Sequence, residues 1–359
     1  MISISYVKDA SYYTQGEHKA ESLKYYANNN EALGKIVDVG LGKNLEVKEV
    51  NEKTLNKLAE NFSGNKRLGF DITISAPKEI SALFALTQDE RILQAHSSAV
   101  RTTLERIQED IYTRDQSKEA KALNQEYVKA QVLAVEFIHL VNRNQEPQIH
   151  SHVLVFNKVE RMTDHKLRAV DLQKVYENQK LYDAVYKAEL TEKLRELGYD
   201  AKLEMRVEDK EKFLDITFKN ENLKAFAEEL STRRKEVLEK AQELEKTLNA
   251  NRAVIESIAA KMTRDEKKEI DIQARFEDLK KDFESKYEKV ESLRQKVSLS
   301  QEKGQGGQKS ANEITAKEIV KEAVEVLEKT ESVNRLENIE KQAIEPVSYT
   351  HLRAHETGR

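Results

Sequence analysis

Apolar and polar residues alternate in several short stretches of the first half of the chain, and this pattern predicts β-strands. Residues 1–7 alternate in this way, and so does Phe70–Ser75 (FDITIS). Two further apolar stretches, Gln125–Leu140 and Gln148–Lys158, flank a polar segment that ends at Pro147. They predict two antiparallel strands joined by a loop.

Other stretches repeat apolar residues at helical spacing. Gln88–Tyr112 and Leu172–Leu197 both show this period, and Gly198 ends the second helix. Ala201–Arg206 and Lys212–Phe218 alternate again and predict a smaller hairpin. Together these elements predict an α+β fold in which an antiparallel sheet carries helices on one face.

The pattern changes after Ser231, where apolar residues recur at the spacing of long amphipathic helices. A free coiled coil would show the same spacing. A stretch rich in Gly and Gln around 304–307 predicts a linker, and a charged amphipathic helix follows it. The predicted organisation is therefore a core (1–230), a helical segment (231–300), a linker (301–313) and a further helix (314–346).

The last residues differ abruptly from the rest of the chain. The stretch 347–357, VSYTHLRAHET, contains two of the chain's eight histidines and resembles the translation of a sequencing adapter. We therefore expect residues 347–359 to be an artefact and the chain to be a fragment. The G-x-x-x-x-G-K-[ST] motif of a phosphate-binding loop does not occur in the sequence, so it encodes no P-loop helicase.

Composition narrows the chemistry. The 359 residues carry a formal net charge of −4, so nucleic acid would have to bind to local basic patches. There is no Cys, which excludes disulfides and thiolate metal sites and fits a reducing cytoplasm. Neither a signal peptide nor an apolar stretch of membrane-spanning length is evident, so we expect a cytoplasmic location with no membrane association.

Three histidines lie close together on the predicted hairpin. His150 and His152 are two residues apart on one strand, so their side chains share a face. If the loop centres on residues 144–146, His139 lies across from them. Imidazole suits transition metals, and three protein ligands leave positions for substrate or water. A solvated polar face is the alternative, but the pattern favours a metal site. His96 is expected at the surface or packing edge of its helix.

Two tyrosine pairs precede this region, Tyr12–Tyr13 and Tyr25–Tyr26. Packing in the core is one interpretation of either pair. The other is nucleophilic catalysis, because a phenolate can attack phosphorus and form a covalent intermediate.

Three ordered motifs resemble those of the HUH endonucleases and, among these, the MobF conjugative relaxases of the TrwC/TraI type. The stretch EPQIHSHVLVFN resembles the metal-binding motif, in which a Pro-Gln pair precedes H-x-H and a third His lies upstream. SYYTQG and KYYANNN resemble the paired-tyrosine motif, and GFDITISAPKEISALFAL resembles the segment D-L-T-F-S-x-P-K-S-V-S. Ser151 departs from the hydrophobic residue that the name HUH implies. The resemblance covers about residues 1–300.

The resemblance implies a metal centre. His139, His150 and His152 would hold one divalent ion, with Mg²⁺ or Mn²⁺ expected before Zn²⁺ or Ni²⁺. Asp71 would accept the phenol proton of the nucleophile or fix a histidine tautomer through a hydrogen bond. A solvent-facing strand acid is the alternative for Asp71.

The resemblance also implies that the first tyrosine of each pair is catalytic. Tyr12 would make the first cleavage, leaving a 5′-phosphotyrosine and a free 3′-OH, and Tyr25 would carry out the later strand transfer. Tyr13 and Tyr26 are secondary candidates.

The implied substrate is single-stranded DNA at a plasmid transfer origin, with a DNA hairpin as a further element. Lys78, Arg233 and Arg234 would contact this DNA, and a solvated side chain is the alternative for Lys78. Residues 231–300 would close over the strand, and other relaxosome proteins and a coupling protein would be partners. A rolling-circle replication initiator, a non-enzymatic DNA-binding or coiled-coil protein and a water-using metal hydrolase are the alternatives.

Overall fold

The computed structural model describes residues 2–7, 34–46, 48–64, 67–122, 126–208, 211–248, 250, 252–263 and 271–298. Both tyrosine pairs, the predicted linker, the helix at 314–346 and the stretch 347–359 lie outside the described residues. The strands are β1 (Ile2–Val7), β2 (Gly34–Ile36), β3 (Glu49–Val50), β4 (Gly69–Ser75), β5 (Tyr112–Arg114), β6 (Tyr127–Gln131), β7 (Ala134–Val141), β8 (Pro147–Phe156), β9 (Lys158–Arg161), β10 (Leu167–Asp171), β11 (Ala201–Glu208) and β12 (Glu211–Phe218).

The helices alternate with these strands in the first part of the chain and dominate the last described part. They are α1 (Glu52–Phe62), α2 (Lys78–Thr87), α3 (Arg91–Glu109), α4 (Lys118–Ala122), α5 (Gln173–Glu177), α6 (Gln179–Glu196), α7 (Glu221–Glu229), α8 (Thr232–Glu245), α9 (Arg252–Met262), α10 (Ile272–Lys286) and α11 (Val290–Val297). A short 3₁₀ helix spans Gly40–Asn44. No helix among the described residues has both the length and the apolar character needed to cross a membrane.

A six-stranded antiparallel sheet forms the centre of the fold, with the strand order β1-β4-β8-β7-β2-β3. The strands predicted at residues 1–7 and Phe70–Ser75 are confirmed as neighbours, β1 and β4. The predicted hairpin is confirmed as β7 and β8, which occupy the middle of the sheet. The smaller predicted hairpin is confirmed as β11–β12, a separate two-stranded sheet.

The two faces of the large sheet are packed differently. Helices α2, α3 and α6 cover one face, where Ile72 and Ile74 of β4 and Val153 of β8 are buried in the main core. On the other face α1 covers only one end, where Leu55 packs with apolar residues that include Leu154. The predicted α+β class is confirmed, with α1 as a small addition on the second face.

A small closed barrel of β5, β6, β9 and β10 continues from one end of the sheet, and the sequence did not indicate it. The predicted helix Gln88–Tyr112 was too long, because α3 ends at Glu109 and β5 follows. The predicted strand Gln125–Leu140 is two strands. The side chain of Gln108 explains this break, because it donates to the carbonyl of Ala130 (2.6 Å) and accepts from the amide of Val132 (3.0 Å).

The amphipathic helices predicted after Ser231 are present and fall into two pairs. Helices α8 and α9 pack on each other around a small cluster that contains Ala241, Ile255 and Ala259. Helices α10 and α11 belong instead to the main core, where the ring of Phe276 meets that of Phe84 edge to face. The domain boundary at residue 230 remains a prediction.

Candidate metal centre

The register of β7 against β8 brings the three histidines together. His139 lies directly opposite His150, and Phe137 lies opposite His152. Directly opposed residues of antiparallel strands point to the same side, and residues two apart on a strand do so as well. The predicted convergence is therefore confirmed. The register of the two strands shifts between His139 and Val141, at the start of the connecting loop.

The three imidazoles form a nearly equilateral triangle. The ring centroids are 5.1 Å apart for His139–His150, 5.0 Å for His139–His152 and 5.2 Å for His150–His152. His139 is buried and the other two rings are half-buried. The three histidines therefore lie on the part of this sheet face that α1 does not cover. On one side they contact the packed interior.

Hydrogen bonds fix the ring orientation of two of these histidines. The Nδ1–H of His152 donates to Oδ2 of Asp71 at 2.6 Å, and the Nδ1–H of His150 donates to the carbonyl of Gln148 at 2.8 Å. A carbonyl or carboxylate can only accept, so Nδ1 carries the proton in each neutral ring and Nε2 carries the lone pair. Partners of this kind commonly orient histidines that bind metal.

Asp71 is placed beside this group by the pairing of β4 with β8. Its carboxylate is buried, and Thr73, two residues further along the same face, lies opposite His152. The hydroxyl of Thr73 is 3.2 Å from Nδ1 of His152 and 3.5 Å from Oδ1 of Asp71. Asp71 is thus a buried hydrogen-bond acceptor for a candidate ligand rather than a solvent-facing acid.

The histidine group fits a single metal ion. Each residue offers one ring nitrogen, and these three atoms lie within 4.8 Å of one another. Metal–nitrogen bonds of about 2.0–2.1 Å place neighbouring ligands of a tetrahedral ion about 3.4 Å apart, so each ring nitrogen would have to move inward by up to about 1 Å. No second group of this kind occurs among the residues that the structure describes.

The predicted DNA-contacting residues make contacts within the protein. Lys78 is at the start of α2, and its Nζ is 3.6 Å from Oε2 of Glu146 in the β7–β8 loop. Burial lowers the pKa of Lys78. Arg233 donates to the carbonyl of Ala260 (2.8 Å) in the last turn of α9, and Arg234 pairs with Glu256 at 3.3 Å.

The catalytic tyrosines predicted from the sequence, Tyr12, Tyr13, Tyr25 and Tyr26, lie outside the described residues. The strand that precedes them is described. β1 is paired to β4 such that Ser5 lies opposite Asp71, and Val7 is its last residue. The strand next to Asp71 is therefore the one that leads into the first tyrosine pair.

The position of one histidine differs from the position that the sequence predicted. His96 was expected at the helix surface or packing edge, but its side chain is fully buried between α3, α6 and the sheet. It belongs to a polar group with Glu136, Ser151 and Tyr186, which the sequence did not indicate. The one feature of the sequence that could have indicated this buried polar group was the hydroxyl of Ser151, which stands where the name HUH implies an apolar residue.

An antiparallel sheet that presents three histidines beside a buried carboxylate is the arrangement implied by the resemblance to HUH endonucleases. A comparison of the sequence with protein-family models agrees with this resemblance. The sequence model described as TrwC relaxase matches residues 5–287, which is most of the chain. The chain belongs to the TrwC relaxase family.

Individual relatives match smaller parts of the chain. The multifunctional conjugation protein TraI of Escherichia coli K-12 is 28% identical over 148 residues, which are 39% of this chain and 8% of that protein. A second TraI from Escherichia coli is 27% identical over the same length. The matched part is thus a small fraction of these much longer relatives.

Solved structures of the conjugative relaxase TrwC with oriT DNA share the fold. The copper-bound complex gives a TM-score of 0.63 at 22% identity, covering 79% of this chain and 98% of that chain. A metal-bound complex gives a TM-score of 0.61 at 21% identity, and a complex with a 27-mer comprising the recognition hairpin and the cleavage site gives 0.58 at 21% identity; each covers 79% of this chain and 98% of that chain.

Proposed function

We propose that this chain is a metal-dependent conjugative relaxase domain, which nicks single-stranded DNA at a plasmid transfer origin and rejoins it. One observation carries the proposal: three histidines converge on an open sheet face beside a buried carboxylate, in a chain of the TrwC relaxase family. The family match favours a relaxase over a rolling-circle replication initiator.

His139, His150 and His152 are the proposed ligands of one divalent ion. Bound there, the ion would polarise the scissile phosphate and offset the charge that develops on it. Three imidazole donors match Zn²⁺, Ni²⁺ or Cu²⁺ better than Mg²⁺ or Mn²⁺, which favour oxygen ligands. Mg²⁺ or Mn²⁺ as the native ion is therefore proposed from the family resemblance and not from the donor set.

Asp71 has two proposed roles, and the structure supports them unequally. Its 2.6 Å contact with Nδ1 of His152 supports the orienting role, because a carboxylate in that position fixes the tautomer and makes Nε2 a better donor. Accepting the phenol proton of Tyr12 is the second role, which rests on the motif alone.

Tyr12 is the proposed nucleophile for the first cleavage. Its phenol oxygen forms a bond to phosphorus, the bond from phosphorus to the 3′ oxygen breaks, and the 3′ oxygen leaves as a hydroxyl after taking up a proton. The product is a 5′-phosphotyrosine, which keeps the energy of the phosphodiester for rejoining. Tyr25 is proposed to carry out the second transfer, with Tyr13 and Tyr26 as secondary candidates.

The DNA contacts proposed for Lys78, Arg233 and Arg234 require these side chains to exchange their present partners for phosphate. Lys78 is the best placed, because it lies at the N-terminal end of α2, where a helix favours anions. The helical segment at 231–300 is proposed to close over the bound strand. A DNA hairpin, other relaxosome proteins and a coupling protein remain proposed partners.

The test is a covalent adduct. The full chain is incubated with Mn²⁺ and pooled single-stranded transfer-origin oligonucleotides, and products are separated in SDS. We expect an SDS-resistant adduct, with the phosphonucleotide on Tyr12 in the trapped peptide. Tyr12→Phe should bind DNA but form no adduct, whereas Tyr25→Phe should still cleave and fail in strand transfer.

Two results separate this proposal from its alternatives. A phosphonucleotide on Tyr13, Tyr25 or Tyr26 in the first cleavage would overturn the assignment of Tyr12. Metal-dependent cleavage without any adduct would indicate water as the nucleophile and would exclude the relaxase mechanism.

A further inference from the structure

A continuous polar chain lies on the sheet face opposite to the metal centre. The hydroxyl of Tyr186 is 2.6 Å from Nδ1 of His96, Nε2 of His96 is 2.8 Å from Oγ of Ser151, and Oγ of Ser151 is 2.6 Å from Oε1 of Glu136. His96, Ser151 and Tyr186 are fully buried and Glu136 is nearly so. The chain connects two helices, α3 and α6, with two strands, β7 and β8.

The direction of each hydrogen bond follows from the groups themselves. Burial lowers the pKa of His96 to about 3, so its ring is neutral and has one N–H. Burial also holds the pKa of Tyr186 well above its usual value, so the phenol keeps its proton. Ser151 donates its single hydroxyl proton to Glu136, so the Nε2–H of His96 donates to Ser151 and Nδ1 of His96 accepts from the hydroxyl of Tyr186.

The position of Ser151 connects this chain with the metal centre. Ser151 stands between His150 and His152 on β8, and alternation sends its side chain to the opposite face. Its hydroxyl contacts both the neighbouring strand, through Glu136, and helix α3, through His96. A displacement of β8 would break both contacts and leave buried polar groups unsatisfied, which costs about 1–3 kcal/mol per group.

We propose that Ser151, held by Glu136 and His96, is a positioning residue that fixes the strand segment carrying His150 and His152 and thereby preorganises the metal centre. The inference rests on the proposed metal-binding role of the histidines. Its physical basis is that a strand slip by one residue would exchange the two faces and send the histidines into the core. The polar chain holds the segment against movements much smaller than such a slip.

The test is a metal titration of Ser151→Ala in the full chain. Mn²⁺ binding is measured by calorimetry at a temperature where circular dichroism shows the variant and the wild type equally folded. We expect the Kd for Mn²⁺ to rise about 10-fold, since losing the hydrogen bonds that support a metal site typically costs 10–100-fold in affinity. Ser151→Thr keeps the hydroxyl and should restore most of the affinity.

A matched control separates positioning from general stability. Thr103 is a fully buried residue of α3, and its hydroxyl donates to the carbonyl of Ala99 at 2.7 Å. This hydrogen bond lies within α3 and does not involve β8. Thr103→Val also removes a buried hydroxyl and should lower the Tm, but we expect the Kd for Mn²⁺ to stay unchanged.

Tyr186→Phe provides a second variant that does not depend on Ser151→Ala folding. It removes one hydroxyl at the far end of the chain and leaves the ring, so a smaller rise in Kd, of about 3-fold, is expected. This is the order of a lost hydrogen bond between neutral groups.

The outcomes distinguish this inference from the proposed function. Wild-type protein that binds no Mn²⁺ would contradict the metal centre itself. Wild-type binding with an equal Kd in Ser151→Ala, or in Tyr186→Phe where Ser151→Ala does not fold, would overturn the positioning role and leave the metal centre intact. A similar rise in Kd for Thr103→Val would also overturn it, because any loss of stability would then have the same effect.

Discussion

The two faces of strand β8 differ in what their polar groups do. On the open face, His150 and His152 are half-buried and converge with His139. On the packed face, Ser151 belongs to a buried chain in which each donor has an acceptor. Buried polar groups that are fully paired specify one arrangement of a core, whereas half-exposed imidazoles can bind a ligand. The comparison indicates that the packed face fixes the geometry that the open face uses.

Removing a ligand should have the largest effect and tests the open face directly. We expect His150→Ala or His152→Ala to weaken Mn²⁺ binding by at least about 100-fold and to abolish DNA cleavage. The change in the free energy of unfolding should be small for His150→Ala, because that ring is half-buried, and larger for His152→Ala, which removes the donor at 2.6 Å from the buried carboxylate of Asp71. Calorimetric titration and urea unfolding measure the two quantities.

His165→Ala is the control for these variants, because His165 is exposed and its Nδ1 lies 2.7 Å from Oε1 of Glu160 on β9. We expect normal metal affinity in this variant. Unchanged affinity in both His150→Ala and His152→Ala would place the metal site elsewhere.

The packed face should instead be visible in the pH dependence of stability. Burial raises the pKa of Glu136 to about 7 from 4.5, so folding takes up a proton and stability falls as pH rises between these values. Burial lowers the pKa of His96 to about 3 from 6.5, so stability rises with pH between 3 and 6.5. Between pH 4.5 and 6.5 the contributions of Glu136 and His96 to the pH dependence of stability have opposite signs, so they should largely cancel.

Glu136→Gln should therefore expose the slope caused by His96. Between pH 4.5 and 6.5, we expect the free energy of unfolding of this variant to rise by roughly 2–3 kcal/mol more than that of the wild type. The range spans about two pH units, and one pKa unit corresponds to about 1.4 kcal/mol. Urea unfolding at several pH values measures it. A variant with the same pH profile as the wild type would show that Glu136 and His96 do not titrate as their burial implies.

The difference between the two faces also explains which parts of the candidate site could be predicted from the sequence. The open face was predictable, because His150 and His152 are two residues apart and the hairpin loop fixes the position of His139. Asp71 was found through its motif and lies on the neighbouring strand. The packed face was not predictable, because His96 and Tyr186 come from helices far along the chain, and helical spacing alone does not show which polar residue will be buried.

The barrel was missed for a similar reason. Its strands are short, and β5 follows α3 after only two residues, one of which, Ile111, continues the helical spacing of apolar residues. The break between β6 and β7 depends on the side chain of Gln108, whose contacts with Ala130 and Val132 have no local signature. The DNA-contacting role of Arg233 was inferred from charge alone, and its contacts with α9 depend on tertiary packing.

Asp71→Asn should have an intermediate effect and sharpens the comparison on the open face. The amide keeps an oxygen that can accept from His152 but loses the negative charge that makes the ring a better donor. We expect the Kd for Mn²⁺ to rise about 10-fold with little change in the Tm. A Kd equal to that of the wild type would show that Asp71 supports the metal centre by orienting His152 and not through its negative charge.

The smallest expected effect concerns Thr73, which lies on the open face beside both Asp71 and His152. Its hydroxyl is 3.2 Å from Nδ1 of His152, but that nitrogen already donates to Asp71 at the shorter distance of 2.6 Å. Thr73→Val keeps the shape of the side chain and removes only this secondary contact, so we expect the Kd for Mn²⁺ to rise no more than about 3-fold. A rise as large as that of Asp71→Asn would mean that the hydroxyl, and not the carboxylate alone, sets the orientation of His152. The open face would then depend on a hydrogen-bonded chain of its own, and the contrast between the two faces of β8 would be weaker than the structure indicates.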